Sequence, residues 1–276
     1  MSDVLRAVKN EIKQTPLWPL LRPRRIHVYG VGAPKTGTNS VSKLFGAYRA
    51  GHEQHVDQTL NIIRKKRDGA PQSKVIEQLR RRDRRWRLEV ESAYFFAYVC
   101  EALLSAFPGA KFICTVRAPQ SWLRSIIDQC INNERDQLSD AWKSLRDLNF
   151  GSPPETYPLA EQALARYGLH SIDGFLSYWA WHNRTILNTI PPNRRLFVRT
   201  SQLSSAVAQI AHFVEISPSV LETEGSHANK APRRHDVLNK VPKKYLENKI
   251  TEHCQPVVER LTRETSISFN YESRTA

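Results

Sequence analysis

A lysine, an arginine and a run of small hydroxyl residues stand in this chain where they could hold an anionic group. Arg25 to Phe45 reads RIHVYGVGAPKTGTNSVSKLF. Ile26, Val28 and Val31 are strand formers, while Gly30, Gly32, Pro34 and Gly37 turn the backbone. Thr36, Thr38, Asn39 and Ser40 come just before Val41, Leu44 and Phe45, the pattern of a polar helix start. A strand that feeds a helix through such a loop directs unpaired N–H groups and the positive end of the helix dipole at one point, which suits phosphate or sulfate. Lys35 adds a full charge there. In the nucleotide loop G-x-x-x-x-G-K-[ST] the lysine follows the last glycine, but Lys35 precedes Gly37.

A second anion site is spelled out further on. In KFICTVRAPQSWLRSII, residues 111–127, a buried-strand pattern (Phe112, Ile113, Cys114, Val116) ends at Arg117 and passes through Pro119 into a helix carrying Ser125. Arginine at a strand end offers a planar fork to phosphate oxygens, and a serine two turns into the next helix can reach the same group.

The loop PKTGTNS, followed by a strand-end Arg and a Ser eight residues later, resembles the sulfotransferases that use 3′-phosphoadenosine-5′-phosphosulfate (PAPS). The resemblance implies an α/β fold, a mostly parallel central sheet flanked by helices in the three-layer, P-loop-like arrangement. It implies that Lys35, Thr36, Gly37, Thr38, Asn39 and Ser40 hold the 5′-phosphosulfate, that Arg117 and Ser125 hold the 3′-phosphate, and that adenosine 3′,5′-bisphosphate leaves without help from a metal. Sulfuryl transfer also calls for a base on the acceptor hydroxyl or amine. The segment YRAGHEQHVD offers Glu53 first, then His52 and His55. The family closes the donor site with a basic C-terminal loop, matched in position by SHANKAPRRH. Asn229, Lys230 and Arg234 are therefore expected donor contacts. Glu91 and Ser92, at the end of the strand in LEVESAYFFAY, are expected on the acceptor side because open parallel sheets bind ligands at strand ends.

The rest of the chain must position these groups. At 276 residues it has room for one large α/β domain. The expected division is a lead-in over 1–24 and a single domain over 25–276. Residues 132–168 lose periodicity around Gly151-Ser152-Pro153-Pro154 and read as loops on the acceptor side. Residues 172–190 form a helix closed by Pro191-Pro192, whose Trp and His residues read as packing. The four cysteines form no C-x-x-C pair and read as buried thiols of a reducing compartment, so the expectation is cytoplasmic residence and no metal.

The net charge of +14 is concentrated between Arg64 and Arg87, where eleven Lys or Arg face three acids. Val75, Ile76 and Leu79 make this segment an amphipathic helix with a basic face, suited to an anionic partner or membrane surface; no nucleic-acid motif accompanies it. Two other readings compete: an ATP- and magnesium-dependent phosphotransferase, and a basic module binding an acidic polymer or membrane through residues 64–87. The acceptor of a sulfotransferase could be a small molecule, a lipid or a carbohydrate.

Overall fold

Five short parallel strands carry the architecture of the computed structural model, which describes residues 23–222 and 234–269. They are β1 (Val28–Gly30), β2 (Ala50–His52), β3 (Val90–Ser92), β4 (Lys111–Val116) and β5 (Arg195–Arg199), in the order β2-β3-β1-β4-β5. Gly30 lies opposite Ser92 on one side and Ile113 on the other, and His52 lies opposite Ser92. The carboxyl ends of β1, β2 and β3 are thus level.

Ten α-helices are described: α1 (Thr38–Leu44), α2 (Val56–Arg67), α3 (Gln72–Trp86), α4 (Cys100–Ala106), α5 (Pro119–Asn132), α6 (Asp140–Phe150), α7 (Gln162–Ala165), α8 (Ile172–Thr189), α9 (Val207–Val214) and α10 (Lys243–Glu264). Alternation along the strands sorts side chains to two faces. Val28 and Ile113 join Val41, Leu44 and Ile210 in the core under α1 and α9. Tyr29, Phe112, Cys114 and Val116 join Trp122, Phe175, Trp179 and Cys254 in the larger core under α5, α8 and α10. The result is three layers. No described helix is long and apolar enough to cross a membrane.

After β1 the chain runs through α1 toward β2, and after β4 it runs through α5 toward β5. The two connections leave in opposite directions, so a crevice opens between the carboxyl ends of β1 and β4, the topological switch point where such sheets bind ligands.

Three expectations are corrected. Residues 64–87 form two helices: α2 ends at Arg67, Gly69 adopts φ +85°, and Pro71 caps the start of α3. Arg82 is no part of a basic outer face, being buried against Glu91. Residues 140–150 are helical despite the weak pattern, because Trp142, Leu145 and Asn149 at three- and four-residue spacing turn toward the body of the protein, with Leu145 wholly buried. After β3 a 3₁₀ segment, Tyr94–Val99, precedes α4.

Candidate active site

The loop after β1 is held by the rest of the chain through its carbonyls. His182 Nε2 is 2.8 Å from the oxygen of Val31, Trp122 Nε1 donates to that of Pro34 at 2.7 Å, Thr36 Oγ1 to Ala33 at 2.6 Å, and Thr200 Oγ1 to Thr36 at 2.6 Å. In a trans peptide the N–H points opposite the carbonyl. With the oxygens of Pro34 and Thr36 drawn inward, the N–H groups of Lys35 and Gly37 face the other way, toward the crevice. Lys35 at φ 65° and Gly37 at φ 103° give the loop its left-handed turns. At Gly32 a Cβ would stand 1.9 Å from Thr115 Oγ1, so no side chain fits there. Gly37 has no side chain to cap α1, which leaves the N–H groups of its first turn to a ligand.

A cleft of about 440 Å³ opens above this loop. It brings together Lys35, Gly37, Thr38, Asn39, Ser40, His52, Glu53, Arg117 and Ser125 from the sequence-derived set. Arg117 leaves the end of β4 with its Nε on Ser121 Oγ at 3.3 Å, while its carbonyl accepts from Trp179 Nε1 at 3.1 Å. Burial and the charge of Arg117 both lower the Lys35 pKa; burial and the charges of Arg234 and Arg124 lower that of Arg117. The cleft is therefore a concentration of positive charge taken partly out of water.

Among the described residues that line it, one is an acid. Glu53 follows β2 at φ 52°, anchored by its N–H to Ser92 O at 2.9 Å. Burial raises its pKa to about 7, against the opposing pull of Lys35. His52 Nε2 is 2.9 Å from Thr38 Oγ1 and 3.5 Å from Glu53 Oε1, and burial lowers its pKa to about 4, so it is neutral at pH 7. A carboxyl group that titrates near neutrality beside a cationic cleft can take up a proton there.

The remaining sequence-derived residues lie elsewhere. His55 stacks on Trp86 with ring centroids 3.4 Å apart and does not line the cleft. Glu91 is bound by both terminal nitrogens of Arg82, one at 2.7 Å. Ser92 is fully buried, its Oγ without a partner. Thr36 lies under the loop on Thr115 Oγ1 at 2.8 Å. Arg234 is exposed but close enough to act on Arg117, and the neighbouring His235 N–H donates to Asp128 on α5 at 3.0 Å. Asn229 and Lys230 lie outside the described residues. Among the described residues, the one group of acid and His side chains that could share a cation, Asp173, Glu252 and His253, does not line the cleft, and Lys249 Nζ already stands 2.9 Å from Asp173.

The opposite wall comes largely from the 132–168 segment expected on the acceptor side, but its side chains were not singled out from the sequence: Gln129 and Asn133 on or just after α5, and Trp142, Arg146 and Asn149 on α6. Their spacing was available as a signal. Gln129 and Asn133 continue from Ser125 at four-residue steps, and Trp142, Arg146 and Asn149 stand at i, i+4 and i+7.

No curated protein sequence matches the chain. Its fold is similar to that of the sulfotransferase STF9 from Mycobacterium avium, at 12% identity over 90% of this chain and 81% of that one, with a TM-score of 0.52. A sulfotransferase from Alicyclobacillus acidocaldarius aligns at 16% identity over 89% of this chain and 97% of that one, with a TM-score of 0.49. The family profile described as Sulfotransferase domain matches residues 27–216, from the strand before the anion loop to the end of α9, and the chain belongs to the sulfotransferase family.

Proposed function

We propose that this protein transfers a sulfuryl group from PAPS to a hydroxyl or amine acceptor. The observation that supports this most is one cleft in which Lys35, Arg117 and Ser125 stand with Glu53, a carboxyl group raised to about 7. The residues fit the donor: the loop's outward N–H groups and Lys35 suit a phosphosulfate, and Arg117 with Ser125 suits a further phosphate.

In this reading Glu53 takes the acceptor's proton as the acceptor oxygen or nitrogen bonds to sulfur. The bond from sulfur to the bridging oxygen breaks, and Lys35 meets the charge growing on that oxygen. Thr38, Asn39 and Ser40 hold the anionic groups through backbone N–H donors set before the reaction starts, which is electrostatic preorganisation. His52, neutral, fixes the start of α1 through Thr38 and borders Glu53. Arg234 adds its charge to that of Arg117 at the 3′-phosphate end. The exposed cations of α2 and α3 add a positive field that would attract an anionic partner.

Calorimetric titration with adenosine 3′,5′-bisphosphate, with ATP and magnesium in parallel, tests the donor site. The bisphosphate is expected to bind, and Arg117→Ala to weaken it by about tenfold to a hundredfold, the loss of charge-assisted hydrogen bonds. Preference for ATP with magnesium would overturn the reading. Lys35→Ala is expected to cost about a hundredfold or more in turnover; near-normal turnover would remove Lys35 from its role.

A further inference from the structure

The far end of the cleft has a chemistry of its own. The donor end is built from the loop after β1 and the end of β4; the far end is built from the later turns of α5, from Tyr94 after β3, and from α6. Asn133 lies eight residues beyond Ser125, roughly 12 Å along a helical axis. Arg146 donates to the Asn133 carbonyl at 3.0 Å, which places its guanidinium at that distance from the expected phosphate contact.

Three observations describe the ligand this end would accept. Its walls include Ile126, Cys130, Leu138, Trp142 and Phe150, an apolar lining suited to a ring or an alkyl body rather than to a sugar's many hydroxyls. Arg146 enters this lining as an unmatched cation: Asp147, the adjacent acid, is committed to Arg135, and no ion-pair partner of Arg146 is found among the described residues. Gln129 Oε1 is buried at the same wall without a hydrogen-bond partner, and such an orphan is relieved by a ligand O–H or N–H.

Resting on the sulfotransferase reading, we infer that the acceptor is a hydroxylated organic anion: an apolar body between α5 and α6, its hydroxyl at Glu53, and a carboxylate or comparable anionic group on Arg146. An anionic group on an otherwise apolar molecule satisfies the guanidinium, and the body fills the lining that water would wet poorly.

The test uses the full chain saturated with adenosine 3′,5′-bisphosphate and follows binding by calorimetry. The probes are hydroxyphenylpropionate and hydroxyoctanoate, the methyl ester of each, and glucose. At least one of the acids is expected to bind tenfold or more tighter than its ester, with glucose weaker still. Arg146→Gln is expected to bring acid and ester to the same affinity while bisphosphate affinity stays unchanged, which also reports that the variant is folded. Equal binding of acid and ester by the wild type, preference for glucose, absence of binding by both acids, or an acid preference that survives Arg146→Gln would each overturn the inference and leave the donor reading standing. Failure of the wild type to bind the bisphosphate at the outset would overturn the donor reading, and the acceptor inference with it.

Discussion

Two glutamates stand at the carboxyl ends of neighbouring strands in opposite circumstances. Glu91, in β3, meets both terminal nitrogens of Arg82, and the two side chains are equally buried. Glu53, just past β2, has Lys35 only as a distant field and a neutral His52 at 3.5 Å. Burial alone is therefore not what sets a carboxylate up for proton transfer. A buried carboxylate with a bidentate guanidinium becomes part of the frame, whereas one buried without a matched cation has its ionisation held back and can exchange a proton near neutral pH. The two are also joined: Arg82 donates to the Gln54 carbonyl at 2.9 Å, so the pair that locks Glu91 also steadies the chain one residue beyond Glu53.

The largest expected effect that separates the two falls on turnover. Glu53→Gln should lower kcat by about a hundredfold to ten-thousandfold, the usual worth of a general base, with bisphosphate affinity unchanged. In the wild type kcat should rise with pH through about 7 as Glu53 ionises. A kcat that is flat between pH 6 and pH 8, under conditions where the chemical step limits, would assign the proton to another group.

Next in size is Arg82→Met. It strands Glu91 as a buried charge, and the expected loss of stability is about 3–5 kcal/mol by urea denaturation. Adding Glu91→Leu should recover most of it. A single variant as stable as the wild type would mean that the pair contributes nothing to the frame.

A third measurement sharpens the contrast through pH. Because the Glu53 pKa is raised in the folded state, the fold binds more protons than the unfolded chain between about 4.5 and 7. Its contribution therefore falls as pH rises through that window. At pH 8 the ionised Glu53 destabilises the fold by at most about 3 kcal/mol, so Glu53→Gln should raise Tm at pH 8 and change it little at pH 4.5. Glu91→Gln should lower Tm at pH 8, having lost half of an ion pair. Equal shifts for the two variants would erase the distinction between them.

The smallest effect is expected at His55. It stacks on Trp86 outside the cleft, so His55→Ala should cost about 1 kcal/mol of stability and leave turnover within about twofold. A large loss of turnover would return His55 to the chemistry.

What the sequence by itself determined is local. The β1 loop, its lysine, the helix start after Gly37, and the Arg117 to Ser125 spacing all follow from residues within a few turns of one another, because strand, loop and cap chemistry is set by neighbours in the chain. The same locality explains how Glu53, His52 and His55 could be singled out in that order, as the titratable residues of one short segment, with nothing in the segment itself to show which of them reaches the cleft. Tertiary structure decided this: the turn at Glu53 directs its side chain into the cleft and the next one or two residues away from it, toward α3. It also decided that Arg82 would be withdrawn from the basic face to hold Glu91, and that Trp122, His182 and Thr200, separated from the β1 loop by 88 to 164 residues, would hold its carbonyls. That the acceptor-side segment forms a helix, α6, was hidden for the same reason. Its helix is stabilised by packing its inner face on the body of the protein rather than by a strong intrinsic pattern, and burial of that kind depends on elements far apart in the chain.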